Sequence, residues 1–362
     1  MALSRRCFLS VPAVLIAGKA FADSPGKGRQ FTSAITRYAD PATEFQVSRL
    51  TAPEHSSFLP AYSNHAISRH NNALIYASDM TGRFEAFRMD LKSGQSRQLT
   101  EAANLDPQSL VLFADDRGFA YIDDGRLVSA TLPGLRTRPM ALENVRAANF
   151  SDDAMYASVV QYDGSRYRLS LVQMASGAVT NLAESEEEIR SPLPRPRRAS
   201  VVYQRGPGLW LANYDGQQNY RLRLAEGEIG PAEWSPDGRS LLYLNYPADT
   251  HKLHGIREFT PDTNEDKRVS DTSQFVGFTR NADGTVFVGA SGSKASPYVL
   301  LLVRSVRREF TICEHRSSDP RLVSPRFSPN SQRIYFGSDR HGKPAIYSMN
   351  VEKLVTETEG TA

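Results

Sequence analysis

A chain of 362 residues, 40% hydrophobic and 23% charged, with 24 glycines and 21 prolines, has ordinary globular composition. That excludes a disordered, collagenous or coiled-coil protein. The formal charge of +3 is matched by Arg5, Arg6 and Lys19, which share an N-terminal stretch without acidic residues. The remaining chain is therefore neutral and lacks the basic footprint of a nucleic-acid binder.

Residues 1–22 read as an export signal. Ser4-Arg5-Arg6-Cys7-Phe8-Leu9 has the twin-arginine pattern, followed by the apolar run Val11 to Gly18 and then Ala20-Phe21-Ala22. The run is too short to span a bilayer, so it reads as a leader that sends a soluble product to the periplasm, with no membrane span in the mature chain. Of the two cysteines, Cys7 leaves with the leader and Cys313 stays. An intramolecular disulfide, a cysteine-built zinc site and an iron–sulfur cluster are excluded in the mature protein.

Residues 23–362 read as one domain. Short β-branched and aromatic runs alternate with turn signals, without sustained helical periodicity. One unit recurs: an apolar residue, a polar turn, then an alternating strand. Trp234-Ser235-Pro236-Asp237-Gly238 before Leu241-Leu242-Tyr243-Leu244 is the clearest copy. Others begin at Ile67, Phe113, Phe150, Asn281 and Phe327, and a degenerate copy runs from Arg197 through Val201-Val202-Tyr203. Seven copies at this spacing predict an all-β, seven-bladed propeller with blades over about residues 31–355. The last blade has no outer strand of its own before a polar tail, and Phe45 to Thr51 has an outer-strand pattern without a blade. That N-terminal strand is predicted to complete the last sheet and close the ring.

The unit resembles the Tol-type and oligogalacturonate-lyase propellers, and the closer resemblance, over most of the mature chain, is to oligogalacturonate lyase. It is carried by Asp40-Pro41-Ala42-Thr43, Val47-Ser48-Arg49-Leu50-Thr51, Met89-Asp90-Leu91-Lys92-Ser93-Gly94 and His341-Gly342-Lys343-Pro344-Ala345. The resemblance implies binding, and cleavage by β-elimination, of galacturonate oligosaccharides in pectin breakdown. In that family a Mn²⁺-type site of His and Gln neutralises the uronate carboxylate and another His removes the α-proton. Here the matching ligand positions are Pro231, Asp319, Leu322 and Ser324, and the base position falls near Gln204-Arg205. Proline and leucine side chains cannot ligate a metal, so no cofactor is expected. Arg168, in Tyr167-Arg168-Leu169, matches a family arginine. The alternative is a non-catalytic, Tol-type periplasmic scaffold whose partner is a protein and not an acidic oligosaccharide.

The candidate substrate-binding residues are Arg168, Arg205, Arg197, His65 and Gln274. Arg168 and Arg205 also stand as candidates at the catalytic positions. Arg197 and Arg205 belong to a basic stretch, Arg190 to Arg205, that suits a polycarboxylate because guanidinium presents a fork to each carboxylate. The acidic run Glu184 to Glu188 is the competing counter-charge for it. His65 precedes the first inner strand and is expected to face the central channel; Gln274, Glu233 and Arg326 lie near inner strands. His251-x-x-His254 reads as a solvated loop pair, and Trp234 as a packing residue.

Overall fold

The computed structural model describes residues 26–359 apart from 250 and 273; the leader expected at residues 1–22 lies outside them. Seven antiparallel sheets follow one another in chain order, each built outward from an innermost strand. The innermost strands are Ser57–Phe58, Val111–Leu112, Val145–Phe150, Ile189–Pro194, Glu228–Trp234, Phe275–Arg280 and Arg326–Phe327, one for each of blades 1 to 7. The all-β, seven-bladed propeller expected from the repeat is the fold observed.

The recurring turn has one physical basis. Ser235 Oγ donates to Asp237 Oδ1 and accepts from the Ser240 N–H, while the Gly238 N–H closes the turn on the Ser235 carbonyl. Gly238 has a positive φ of 68°, and a Cβ there would collide with the Pro196 carbonyl oxygen of the neighbouring turn. Only glycine allows that approach. Asn71, Asp116, Ala154, Gly284 and Ser331 hold the left-handed position in five other blades. In blade 4 the turn closes over the same span, from the Arg198 N–H to the Arg195 carbonyl, but the left-handed residue is Arg197, one place earlier.

Tyrosines of the second strands reach outward to polar groups of the outer strands. Tyr76 donates to Ser96, Tyr203 to Asn219 and Tyr243 to Asp266. Their rings fill the space between blades, where buried hydroxyls must find partners.

The ring closes through the N-terminal strand, as its pattern predicts. Gln46–Arg49 pairs with Ala345–Asn350, placing Val47 opposite Met349, and Thr36–Ala39 adds a fifth strand outside it. Gln30–Phe31 pairs with Ser96–Gln98, so the same N-terminal segment also edges blade 1. The Asp40-Pro41-Ala42-Thr43 motif is a clamp: Asp40 Oδ2 accepts from the Glu314 N–H, and Thr43 Oγ1 donates to the Ile312 carbonyl of blade 6. After the last strand a helix spans Glu352–Glu359, anchored by buried Val351 and Val355. No helix among the described residues is long and apolar enough to cross a membrane.

Candidate functional site

The innermost strands surround a lumen, and two features shape it. The first is a set of β-bulges at one end. Pairing shifts register between Val145 and Ala147, Arg190 and Leu193, Ile229 and Ala232, and Phe275 and Gly277. Blades 3 to 6 therefore each carry an irregularity where the chain enters the innermost strand. Bulges re-aim side chains and terminate pairing, and they collect beside functional sites. Pro192 and Pro231 are tolerated here because the innermost strand is a sheet edge.

The second feature is a loop. The innermost strand of blade 1 pairs at Ser57–Phe58 and again at Ile67, which bridges to Leu74. Residues 59–66 leave the sheet between these points and cross the lumen. Tyr62 Oη accepts from the Ala232 N–H of blade 5 at 3.2 Å. Asn149 of blade 3 donates to the Ser63 carbonyl, and Arg326 of blade 7 donates to the carbonyls of Pro60 and Asn64. The loop divides the lumen into two compartments.

On the bulge side, adjoining cavities of about 240 and 330 Å³ share Ala61, Tyr62, Gln108 and Ser191. Arg146, Arg190 and Arg321 reach them from blades 3, 4 and 7. Arg190 donates to Gln204 at 3.1 Å and touches Glu188 at 3.5 Å. Arg146 lies over the Tyr162 ring, and neither it nor Arg321 forms an ion pair among the described residues. Burial pushes the hydroxyls of Tyr62 and Tyr246 up to about 12, so both are proton donors at neutral pH.

On the other side, beneath the repeated turns, lies a chamber of about 410 Å³ lined by His65, Asp152, Glu233, Arg280 and Arg326. Glu233 Oε2 accepts from the Arg280 N–H at 3.0 Å, and its Oε1 is 3.7 Å from Arg280 Nε. Burial raises the Glu233 pKa above the ordinary carboxylate range, opposed by Arg280 and Arg326. Enclosure by the lumen walls lowers that of His65, opposed by the Asp152 charge.

The structure thus brings together His65, Glu233 and Arg326 and separates the other candidates from them. Arg168 and Arg205 are on the bulge-side face but farther from the axis. Arg168 pairs with Glu184 at 2.8 Å; Arg205 pairs with Glu187 at 3.3 Å and lies over the Trp210 ring. With Arg166–Glu186 and Arg190–Glu188, every glutamate of the acidic run has an arginine partner. Arg197 is exposed in a turn, and Gln274 is exposed just before its strand, outside both compartments. His254 packs edge-on against Tyr246 at the start of a strand, so His251 and His254 share no helical turn. Trp234 is buried, donating to the Leu193 carbonyl beneath Arg195. Tyr62, Arg146, Arg280 and Arg321 were not legible as site residues. The available signal was the stretch Leu59 to Ala66, which has no place in the blade pattern.

The residues at the positions matching the family's metal ligands do not fit a metal. Asp319 Oδ1 accepts from the Arg321 N–H, Ser324 Oγ accepts from Arg326, Leu322 projects to solvent, and Pro231 lies in a bulge. Among the described residues no group of three or more His, Cys, Asp or Glu side chains converges as a metal site would require.

A closed ring of seven sheets with polar groups gathered in a divided lumen defines a seven-bladed β-propeller with cavities on its axis. The oligogalacturonide lyase of Pectobacterium atrosepticum is 24% identical over 386 aligned positions, covering 91% of this chain and 99% of that one. The likeness runs over nearly the whole length of both chains, so this chain is similar to oligogalacturonate lyases throughout its propeller. A solved oligogalacturonate lyase in complex with manganese has the same fold, with a TM-score of 0.83 and 22% identity over 90% of this chain and 98% of that one. The Tol-Pal system protein TolB of Alcanivorax borkumensis is 28% identical over 97 residues, 25% of this chain and 22% of that one. No protein-family model matches the chain.

Proposed function

We propose that this propeller binds galacturonate-type acidic oligosaccharides at the bulge-side mouth. The observation that carries this reading is the convergence of Arg146, Arg190 and Arg321, from three blades, on cavities lined by Tyr62. Elimination next to a carboxylate requires that its charge be neutralised before the α-proton becomes acidic. Guanidinium groups do this by paired hydrogen bonds, and among the described residues Arg146 and Arg321 have no counter-charge to displace. Arg168 and Arg205 would contact the outer sugars of a longer chain after giving up Glu184 and Glu187. The tyrosines at this mouth hold their protons, so they suit donation to a leaving glycosidic oxygen better than proton abstraction.

The test is calorimetric titration with trigalacturonate, alongside the ultraviolet absorbance of the unsaturated uronate that elimination produces. Binding weakened by about 1.5–3 kcal/mol in Arg321→Ala and in Arg190→Ala supports the assignment. Unchanged affinity in both would remove this mouth from consideration. An absorbance rise adds cleavage to binding. Export to the periplasm is part of the proposal. Lysine at positions 5 and 6 should leave precursor in the cytoplasm, and unchanged periplasmic yield would sink it.

A further inference from the structure

The turn-side chamber is balanced in charge but not in hydrogen bonds. Two carboxylates, Asp152 and Glu233, line it together with two guanidinia, Arg280 and Arg326, so the four charges cancel. The guanidinia spend most of their N–H groups on the protein. Arg326 Nη1 and Nη2 donate to Asn64, Pro60 and Ser324, and Arg280 Nε and Nη1 donate to the carbonyls of Trp234, Asn281 and Ala282. The groups with capacity left are acceptors. The exposed Asp152 carboxylate and the exposed His65 ring make no hydrogen bond among the described residues. Glu233 Oε2 is taken by the Arg280 N–H, whereas Oε1 has only Arg280 Nε at 3.7 Å, beyond hydrogen-bond length.

A ligand here must therefore donate, and must do so without adding charge. An ionised carboxylate or ammonium would give up its hydration for surroundings whose own charges already cancel, which costs more than it returns. A polyhydroxyl compound meets both conditions. Its hydroxyls donate to carboxylate oxygens in charge-assisted bonds, and its C–H faces rest on apolar surface. Pro194, Pro196, Pro236 and Pro329 supply that surface, and the volume of about 410 Å³ is within the range of small-molecule sites.

We propose that the turn-side chamber binds one neutral pyranose sugar, held by Asp152, Glu233 Oε1 and His65. The site lies across the Tyr62 loop from the mouth assigned to acidic oligosaccharide and does not depend on that assignment. Glucose, galactose and mannose, which differ only in hydroxyl stereochemistry, are the probes. The readouts, on the full chain, are calorimetry and the imidazole resonances of His65, assigned by their loss in His65→Ala. The expected result is that at least one of the three binds saturably and shifts the His65 resonances. Its uronate and amino-sugar counterparts, titrated into Arg321→Ala to weaken the other mouth, should bind at His65 at least about fivefold more weakly. Asp152→Asn alters an exposed side chain without a protein hydrogen bond, so it should leave the fold intact and weaken the neutral sugar several-fold. The proposal is overturned if none of the three sugars moves the His65 resonances, or if either charged counterpart binds there as tightly as the neutral sugar. Unchanged affinity in Asp152→Asn overturns it as well.

Discussion

The hydroxyl of Tyr62 accepts a hydrogen bond from the backbone N–H of Ala232 at 3.2 Å, tying a loop of the first blade to the innermost strand of the fifth across the lumen. Innermost strands of a propeller have one open edge, and each N–H on it must find a partner or water. Here a side chain from across the ring serves as that partner at a point where Gly230 and Pro231 have broken the ladder. The bulge and the partition are therefore one device. The bulge leaves a backbone donor facing the lumen, and the donor holds the loop that separates the compartments.

Replacing Tyr62 by Phe keeps the ring and removes the acceptor. The Ala232 N–H is left unpaired in a confined space, and stability should fall by about 1–3 kcal/mol. Urea unfolding of the two proteins measures the difference. A variant as stable as the parent would mean that water replaces the hydroxyl and that Arg326 and Asn149 suffice to hold the loop.

The closure seam should be the most sensitive part of the ring. Asp40 is almost fully buried, takes hydrogen bonds from the N–H groups of Ala42 and Glu314, and faces the buried Arg340 guanidinium at 3.7 Å. Asp40→Ala leaves that guanidinium without its counter-charge, and a loss of about 3–5 kcal/mol is expected. Deleting residues 26–51 uncovers the edge of blade 7 and should give aggregation. A soluble truncation with unchanged melting temperature would show that the ring does not need its N-terminal strand.

The blade count and the closing strand were legible because both are local. A turn of fixed hydrogen bonding repeats at a fixed period, and one alternating strand has no blade of its own. His65, Glu233 and Arg326 were readable as lumen residues from their places beside inner strands. The mouth itself was not readable. Arg146 and Arg190 reach it because bulges interrupt their strands, and a bulge depends on pairing between strands, which one strand's sequence does not specify. Arg168 stood out by its resemblance to a family arginine, but Glu184 is its nearest partner because the outer strand lies beside it.

Two lumen groups should give opposite pH dependences. The raised pKa of Glu233 means that its protonated form favours the fold. Its contribution is present below the ordinary carboxylate pKa and is lost as pH rises through the folded value. The lowered pKa of His65 acts in the other direction: its contribution is present above the ordinary imidazole pKa and lost as pH falls through the folded value. Relative to Glu233→Gln, the parent should lose stability on going from acid toward neutral pH. Relative to His65→Ala, it should lose stability on going from neutral pH toward acid. Parallel profiles for parent and Glu233→Gln would show that the carboxyl titrates normally.

The last prediction concerns the metal seen in the manganese-bound relative. A transition-metal site needs several nitrogen or oxygen ligands converging at about 2.0–2.2 Å, each with a lone pair to spare. Of the matching positions, Pro231 and Leu322 have no ligating atom. Ser324 Oγ already accepts from Arg326 at 3.0 Å, and Asp319 Oδ1 caps the short helical turn Pro320–Leu322. Recruiting Ser324 would add a cation beside the buried Arg326 guanidinium, and recruiting Asp319 would uncap the turn; each step opposes binding. Purified protein should therefore carry well under one equivalent of manganese, and EDTA should leave its melting temperature unchanged, because an ion that is not bound cannot shift the folding equilibrium. Near-stoichiometric metal with a melting point that falls on chelation would mean that ligands from outside these four positions hold it, and would favour metal-assisted elimination over neutralisation by arginine.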